Sequence, residues 1–107
     1  MAMTNPDLHV TLVHGTFGRH AAWTIPNSEF RLNLQNRIEG RVVYHKFEWS
    51  GWPSHIARNR AAENLRLFLH EKLAQNPNDR HFVVAHSHGG NIALYAMRDS
   101  SLSERIA

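Results

Sequence analysis

Three short apolar runs, separated by longer stretches of helical periodicity, organise the chain. Leu8–Val13 (LHVTLV) sets Leu8, Val10 and Leu12 at alternate positions, ends on Val13 and is followed by Gly15, which predicts a β-strand. Residues 41–47 (RVVYHKF) predict a second strand. Residues 81–85 (HFVVA) predict a third, apolar on both faces as a buried parallel strand should be. Ser28 is placed to cap a helix on which Phe30, Leu34 and Ile38 share one face, with Gly40 as its end. Ser54, after Pro53, is placed to cap a long amphipathic helix running to about Gln75, whose stripe is Ala61, Leu65, Phe68, Leu69 and Leu73. Residues 76–79 (NPND) form a strong stop. A last helix over about residues 90–98 is apolar nearly all round (Ile92, Ala93, Leu94, Tyr95, Ala96, Met97), a composition suited to central packing against a sheet.

The predicted order is β-α-β-α-β-α. Strands alternating with helices imply an α/β fold with a parallel sheet and right-handed crossovers. Three strands make a small sheet whose edges need covering. Arg105, Ile106 and Ala107 read as the start of a fourth strand, so residues 1–107 are expected to form part of one α/β domain.

Composition narrows the function classes. Of 107 residues, 42% are hydrophobic and 20% charged, an ordinary globular balance. The formal charge is +3, yet the arginines are scattered (Arg19, Arg31, Arg37, Arg41, Arg58, Arg60, Arg66) and form no stripe for a nucleic-acid backbone. The absence of cysteine excludes disulfides, thiolate catalysis and cysteine zinc sites. No apolar stretch approaches the roughly 18 residues of a membrane span. The start, Met1 to Asp7, lacks the basic and apolar segments of a secretory signal, and a cytoplasmic protein is expected. Of nine histidines, His14, His86 and His88 fall at predicted strand ends. His9, His20, His45, His55, His70 and His81 read as surface or packing residues.

The segment HFVVAHSHGGNIALYAM carries the chemistry. A buried strand leads through Ala85-His86-Ser87-His88-Gly89-Gly90 straight into a helix. A serine on so sharp a strand-to-helix turn is thrust above the sheet, and the residues two before and two after it must be small. Here they are Ala85 and Gly89, with Gly90 expected to give further room for packing. The helix N-terminus behind Ser87 offers free N–H groups and a partial positive charge to a developing oxyanion, with the N–H of His88 as the expected donor.

This A-x-S-x-G pattern, together with His14-Gly15 closing the first strand, resembles the α/β-hydrolase superfamily of esterase- and lipase-like serine hydrolases. Phe47-Glu48-Trp49-Ser50-Gly51 is similar to aromatic-Trp-Ser-Gly runs of bacterial relatives. The resemblance covers nearly the whole chain. It implies that the three strands match the third, fourth and fifth of that family's sheet, with the first strand between the other two. It implies Ser87 as nucleophile and the N–H groups of Thr16 and His88 as the oxyanion hole, Phe17 being the next candidate donor. His14 would be a structural residue, and Gly15 would let the backbone approach a small acyl substrate, a carboxylic ester, with no cofactor or metal. The family's triad continues with an acid and then a histidine. Only Asp99 and Glu104 are acids after Ser87, and no histidine follows His88, so residues 1–107 are expected to have little triad activity.

Other readings compete. Ser87 can be an ordinary serine of a βα turn. His86 and His88, alone or with His14, offer imidazoles to a metal, but the required third and fourth ligands, typically a carboxylate close by, are missing from the pattern. Gly89-Gly90 lacks the spacing of a phosphate loop. Trp23, Trp49 and Trp52 can line an acyl pocket or simply pack. A different class of reading makes the chain a non-catalytic α/β module that associates through an exposed sheet edge, as a homo-oligomer.

Overall fold

Strand β1 (Leu8–Val13) is buried along its whole length and lies between β2 (Val42–Phe47) and β3 (Arg80–Ala85). Both neighbours run parallel to it: Leu8 to Val13 face Val42 to Phe47 on one side and Arg80 to Ala85 on the other. In this computed structural model, residues 7–15, 22–24, 28–38 and 40–106 are described. The α/β class, the all-parallel sheet and the central first strand are those expected from the sequence.

The period-2 alternation of β1 sends its side chains to two different layers. Leu8, Val10 and Leu12 join Val42 on one face, packed by Phe30, Leu34 and Ile38. Those three belong to or adjoin helix α1 (Glu29–Arg37), whose cap Ser28 accepts the Arg31 N–H. On the other face Val13 and Phe47 join the larger core, built on helix α2 (His55–Gln75) through Ala61, Ala62, Leu65, Leu69 and Leu73. Ser54 caps α2 by accepting the Ala57 N–H. The coverage is unequal. The short α1 leaves a cavity of about 340 Å³ against the sheet, lined by Leu8, Val10, Leu34, Ile38, Phe82 and Val84, with Arg80 beside them.

Helix α3 (His88–Ala96) follows β3 and packs on α2 through Ile92 and Ala96, both buried. It is one-sided, which corrects the reading of a centrally buried helix. Leu94 is 71% and Tyr95 46% exposed, and the Arg98 guanidinium lies 4.5 Å over the Tyr95 ring. Gly89, Ile92 and Ala96 are the buried stripe of α3, Ala93 and Met97 pack at its margin, and Leu94 and Tyr95 face outward. A short helix α4 (Ser100–Ser103), capped by Asp99, and a 3-10 turn at Ala22–Thr24 carry no periodic signal in the sequence. After α4, Ile106 makes a parallel bridge to His81 on the outer edge of β3, where a fourth strand was expected to begin.

Three histidines share the α2 face of the sheet, His9 and His81 near its amino-terminal end and His45 midway along β2. His9 is stacked between His45, 5.1 Å away, and His81, 4.8 Å away. His9 and His81 are buried and His45 half-buried, so these residues form an inner layer rather than the surface. Burial pushes the His45 imidazole down to about 4, assisted by the Lys72 ammonium, and lowers that of His81. Among the described residues no helix is long and apolar enough to cross a membrane.

Candidate active site

The carboxyl ends of β1 and β3 converge on one turn. The Val13 carbonyl accepts the His86 N–H at 3.1 Å, extending the ladder one residue beyond β3. The chain then reverses: the Gly89 N–H returns to the His86 carbonyl at 3.0 Å, closing a four-residue turn with Ser87 at its second position. Ser87 has φ 56° and ψ −128° and is the one non-glycine with positive φ among the described residues. Those angles are those of the first central position of a type II′ turn, which normally takes glycine. A serine held there carries backbone strain of about 1–3 kcal/mol.

Close packing explains why the strain persists. A Cβ on Gly89 would stand 2.6 Å from the carbonyl oxygens of both Val13 and His14. The first turn of α3 therefore presses directly on the end of β1, and only a hydrogen fits between them. Gly15 is pressed in the same way: a Cβ there would lie 2.9 Å from the His86 carbonyl oxygen and 3.0 Å from the Ser87 Cβ. Gly90 differs from its expected role, because a Cβ at that position would meet nothing within 4 Å. Ala85, the other small residue of the pattern, packs against the larger core.

Ser87 and its neighbours His86 and His88 are exposed. The Ser87 side chain makes no capping bond to α3. The Gly89 and Gly90 N–H groups are taken by the carbonyls of His86 and Ser87, whereas the His88 N–H has no acceptor among the described residues. It is one of the orphan donors of a helix start, at the partially positive end of the helix. Thr16 and Phe17, the expected second donors, lie outside the described residues, as does His20.

His14 is fully buried, and both its ring nitrogens are engaged. Nδ1–H donates to the Gly15 carbonyl at 2.9 Å, and Nε2 accepts the Trp49 backbone N–H at 3.1 Å. The Trp49 indole N–H in turn donates to the His14 carbonyl at 2.9 Å, and the two rings are stacked 5.3 Å apart. This arrangement requires a neutral imidazole, and burial lowers its pKa from the ordinary 6.5. His14 is thus an anchor between the β1 and β2 loops, with no nitrogen left for a metal or for Ser87. Of the tryptophans, Trp49 is buried in this anchor and Trp52 is 63% exposed. Trp23 is half-buried, edge-on to Phe30 and with its ring centroid 6.3 Å from that of His86. The role of Trp49 was not singled out in the sequence, where it read equally as pocket or packing.

A second Ser, His and Asp group lies elsewhere, and its wiring differs. The His70 Nε2 and the Ser101 hydroxyl both bond Asp99, at 2.7 and 2.6 Å, and Arg66 reaches the same carboxylate at 3.3 Å. Ser101 therefore donates to the acid and not to an imidazole. These bonds hold Asp99 well below the usual carboxylate range and serve the cap of α4.

The sequence matches no protein-family model and no curated protein.

Three outcomes are expected from this geometry. Gly89→Ala should destabilise the fold by about 1–3 kcal/mol, because backbone carbonyls must move to admit the methyl. Gly90→Ala should be neutral or stabilising by up to about 1 kcal/mol, and denaturant midpoints separate the two. Ser87→Gly should gain about 1 kcal/mol by releasing the positive φ, while Ser87→Ala, which keeps it, should show no such gain in the same measurement. The His14 ring, followed by NMR, should titrate below 6.5. Because its folded value is depressed, the stability it contributes is complete above the unfolded value and is lost as pH falls below it.

Proposed function

We propose that this chain carries the nucleophile half of a serine hydrolase of the α/β-hydrolase type, acting on carboxylic esters through an acyl-enzyme on Ser87. The observation that carries the reading is the conformation of Ser87: a strained, glycine-like turn at the carboxyl end of a parallel strand, with its side chain exposed and a helix N-terminus behind it. An ordinary βα turn has no reason to hold a serine at this cost. In this reading Ser87 Oγ attacks the ester carbonyl carbon, and the oxyanion so formed is met by the His88 N–H. A second donor is assigned to Thr16 on the resemblance alone. Removing one such donor costs about 2.7–4 kcal/mol of transition-state stabilisation in comparable sites.

A serine hydroxyl needs a base, and no described histidine hydrogen-bonds Ser87. His86 and His88 flank it on the turn, and His14 is committed on both nitrogens. The proposal therefore assigns the base to a histidine encoded further along the gene, preceded by an acid that orients it.

The competing reading, a non-catalytic module that associates through its sheet edge, draws on β3, whose outer edge carries only the Ile106 bridge among the described residues. One experiment separates the two. A fluorophosphonate probe applied to the product of the complete reading frame should label one serine stoichiometrically, and Ser87→Ala should abolish the label. A frame that closes directly after codon 107, with no labelling and a size that grows with concentration on gel filtration, would replace the hydrolase by the associating module.

A further inference from the structure

We propose a divalent metal site at the amino-terminal end of the sheet, held by His9, Asp79 and Asp7 and suited to an ion of the zinc type. Since the strands are parallel, this end is opposite to the one that carries Ser87, and the proposal is independent of the hydrolase reading. One imidazole nitrogen and one oxygen from each of the two carboxylates lie within 4.8 Å of one another. His9 is buried and both aspartates are half-buried.

The assembly follows from the register. His9 on β1 is opposite His81 on β3, and Asp7 and Asp79 immediately precede those two strands. The His9 Nε2 lies 2.7 Å from Asp79 Oδ2. At that distance the contact is a hydrogen bond in which the ring N–H donates to the carboxylate, and a metal ion binding here would take the place of that proton. The other carboxylate oxygen, Asp79 Oδ1, accepts the Asp7 N–H at 3.1 Å, which fixes the direction in which Oδ2 points.

The ring of His9 is held as metal-bound imidazoles usually are, by a partner on its second nitrogen. Its Nδ1 lies 2.9 Å from the His45 Nε2. With a proton at the Asp79 contact, His45 donates across this bond. With a metal on Nε2, His9 Nδ1–H donates instead, and the hydrogen bond is retained with its polarity reversed. Stacking on His81, whose own Nε2–H donates to the Asn76 carbonyl at 2.9 Å, prevents the ring from turning.

The donor set selects the ion. One imidazole with two carboxylates suits zinc and its neighbours, whereas calcium and magnesium prefer oxygen alone. Three protein donors leave a coordination position for water. The competing cation is Arg41, whose guanidinium bonds Asp7 Oδ2 at 2.5 Å. Arg41 is 73% exposed on its side chain, and such surface pairs are weak enough for a divalent ion to share or displace.

The test uses the tag-free protein titrated with Co²⁺ as a spectroscopic probe and with Zn²⁺ as competitor. The expected result is saturation at one equivalent, visible absorption of nitrogen–oxygen-coordinated cobalt displaced by zinc, and His9 as the first histidine whose ring signals change in the NMR spectrum. Asp79→Asn and Asp7→Asn should each weaken binding by more than about tenfold, and His55→Gln, on the exposed start of α2, should leave it unchanged. The NMR assignment needs no variant, so it decides the matter even where a substitution impairs folding. Non-saturable binding, a first response at His86 or His88, or undiminished affinity in Asp79→Asn would each overturn the proposal.

Discussion

The contact on which this arrangement depends is that of Gly89 with the Val13 and His14 carbonyls. It brings the first turn of α3 against the end of β1 with only a hydrogen atom between them. So close an approach leaves room for no more than a tight turn between β3 and α3, and the residue at its second position must accept positive φ. Glycine would do so freely, but serine is there. The strain is small beside what holds α3 in place. Ile92 and Ala96 lie in one cluster with Leu65, Leu69 and Leu102, and each large buried side chain contributes about 1.5–3 kcal/mol. Core packing on one side of α3 thus enforces a costly backbone conformation on the other.

The same end of the sheet is stiffened from the β2 side. Trp49 donates twice to His14, through its backbone N–H to the ring and through its indole to the carbonyl. The His14 carbonyl also lies against Gly89. One residue therefore links the loop after β2, the loop after β1 and the first turn of α3. The link requires a neutral imidazole, because a second ring proton would remove the acceptor that Trp49 uses. Acid should therefore loosen this end of the sheet through His14.

Much of this was legible in the sequence, where local rules suffice. The strands followed to within a residue, the first from alternation and the third from a short run apolar on both faces; Ser28 and Ser54 followed from helix-start chemistry, and the small residue at 89 from the sterics of a turn around Ser87. The failures have a common origin. Gly90 and the outward residues Leu94 and Tyr95 depend on how much surface faces α3, which no periodicity states. Trp49 gained its role from a partner 35 residues away. The histidine layer was read as surface or packing because its members come from three different strands and are ordinary one at a time. Only the register, with His9 opposite His81, reveals that they stack.

That register gives β1 its importance at both ends. As the central strand it has a neighbour on each side, so whatever borders it in sequence is placed between two other segments. At its carboxyl end His14 and Gly15 meet Trp49 from the β2 side and His86 and Ser87 from the β3 side. At its amino end Asp7 and His9 meet Arg41 and His45 from the β2 side and Asp79 and His81 from the β3 side. At an edge of the same sheet β1 would lose one of these sets at each end. Polar residues at the ends of a central strand are therefore where chemistry can gather in a fold this small. The two ends nonetheless favour different chemistry. The carboxyl end delivers a helix N-terminus and backbone donors, which suit negative charge. The amino end gathers carboxylates and an imidazole, which suit a cation.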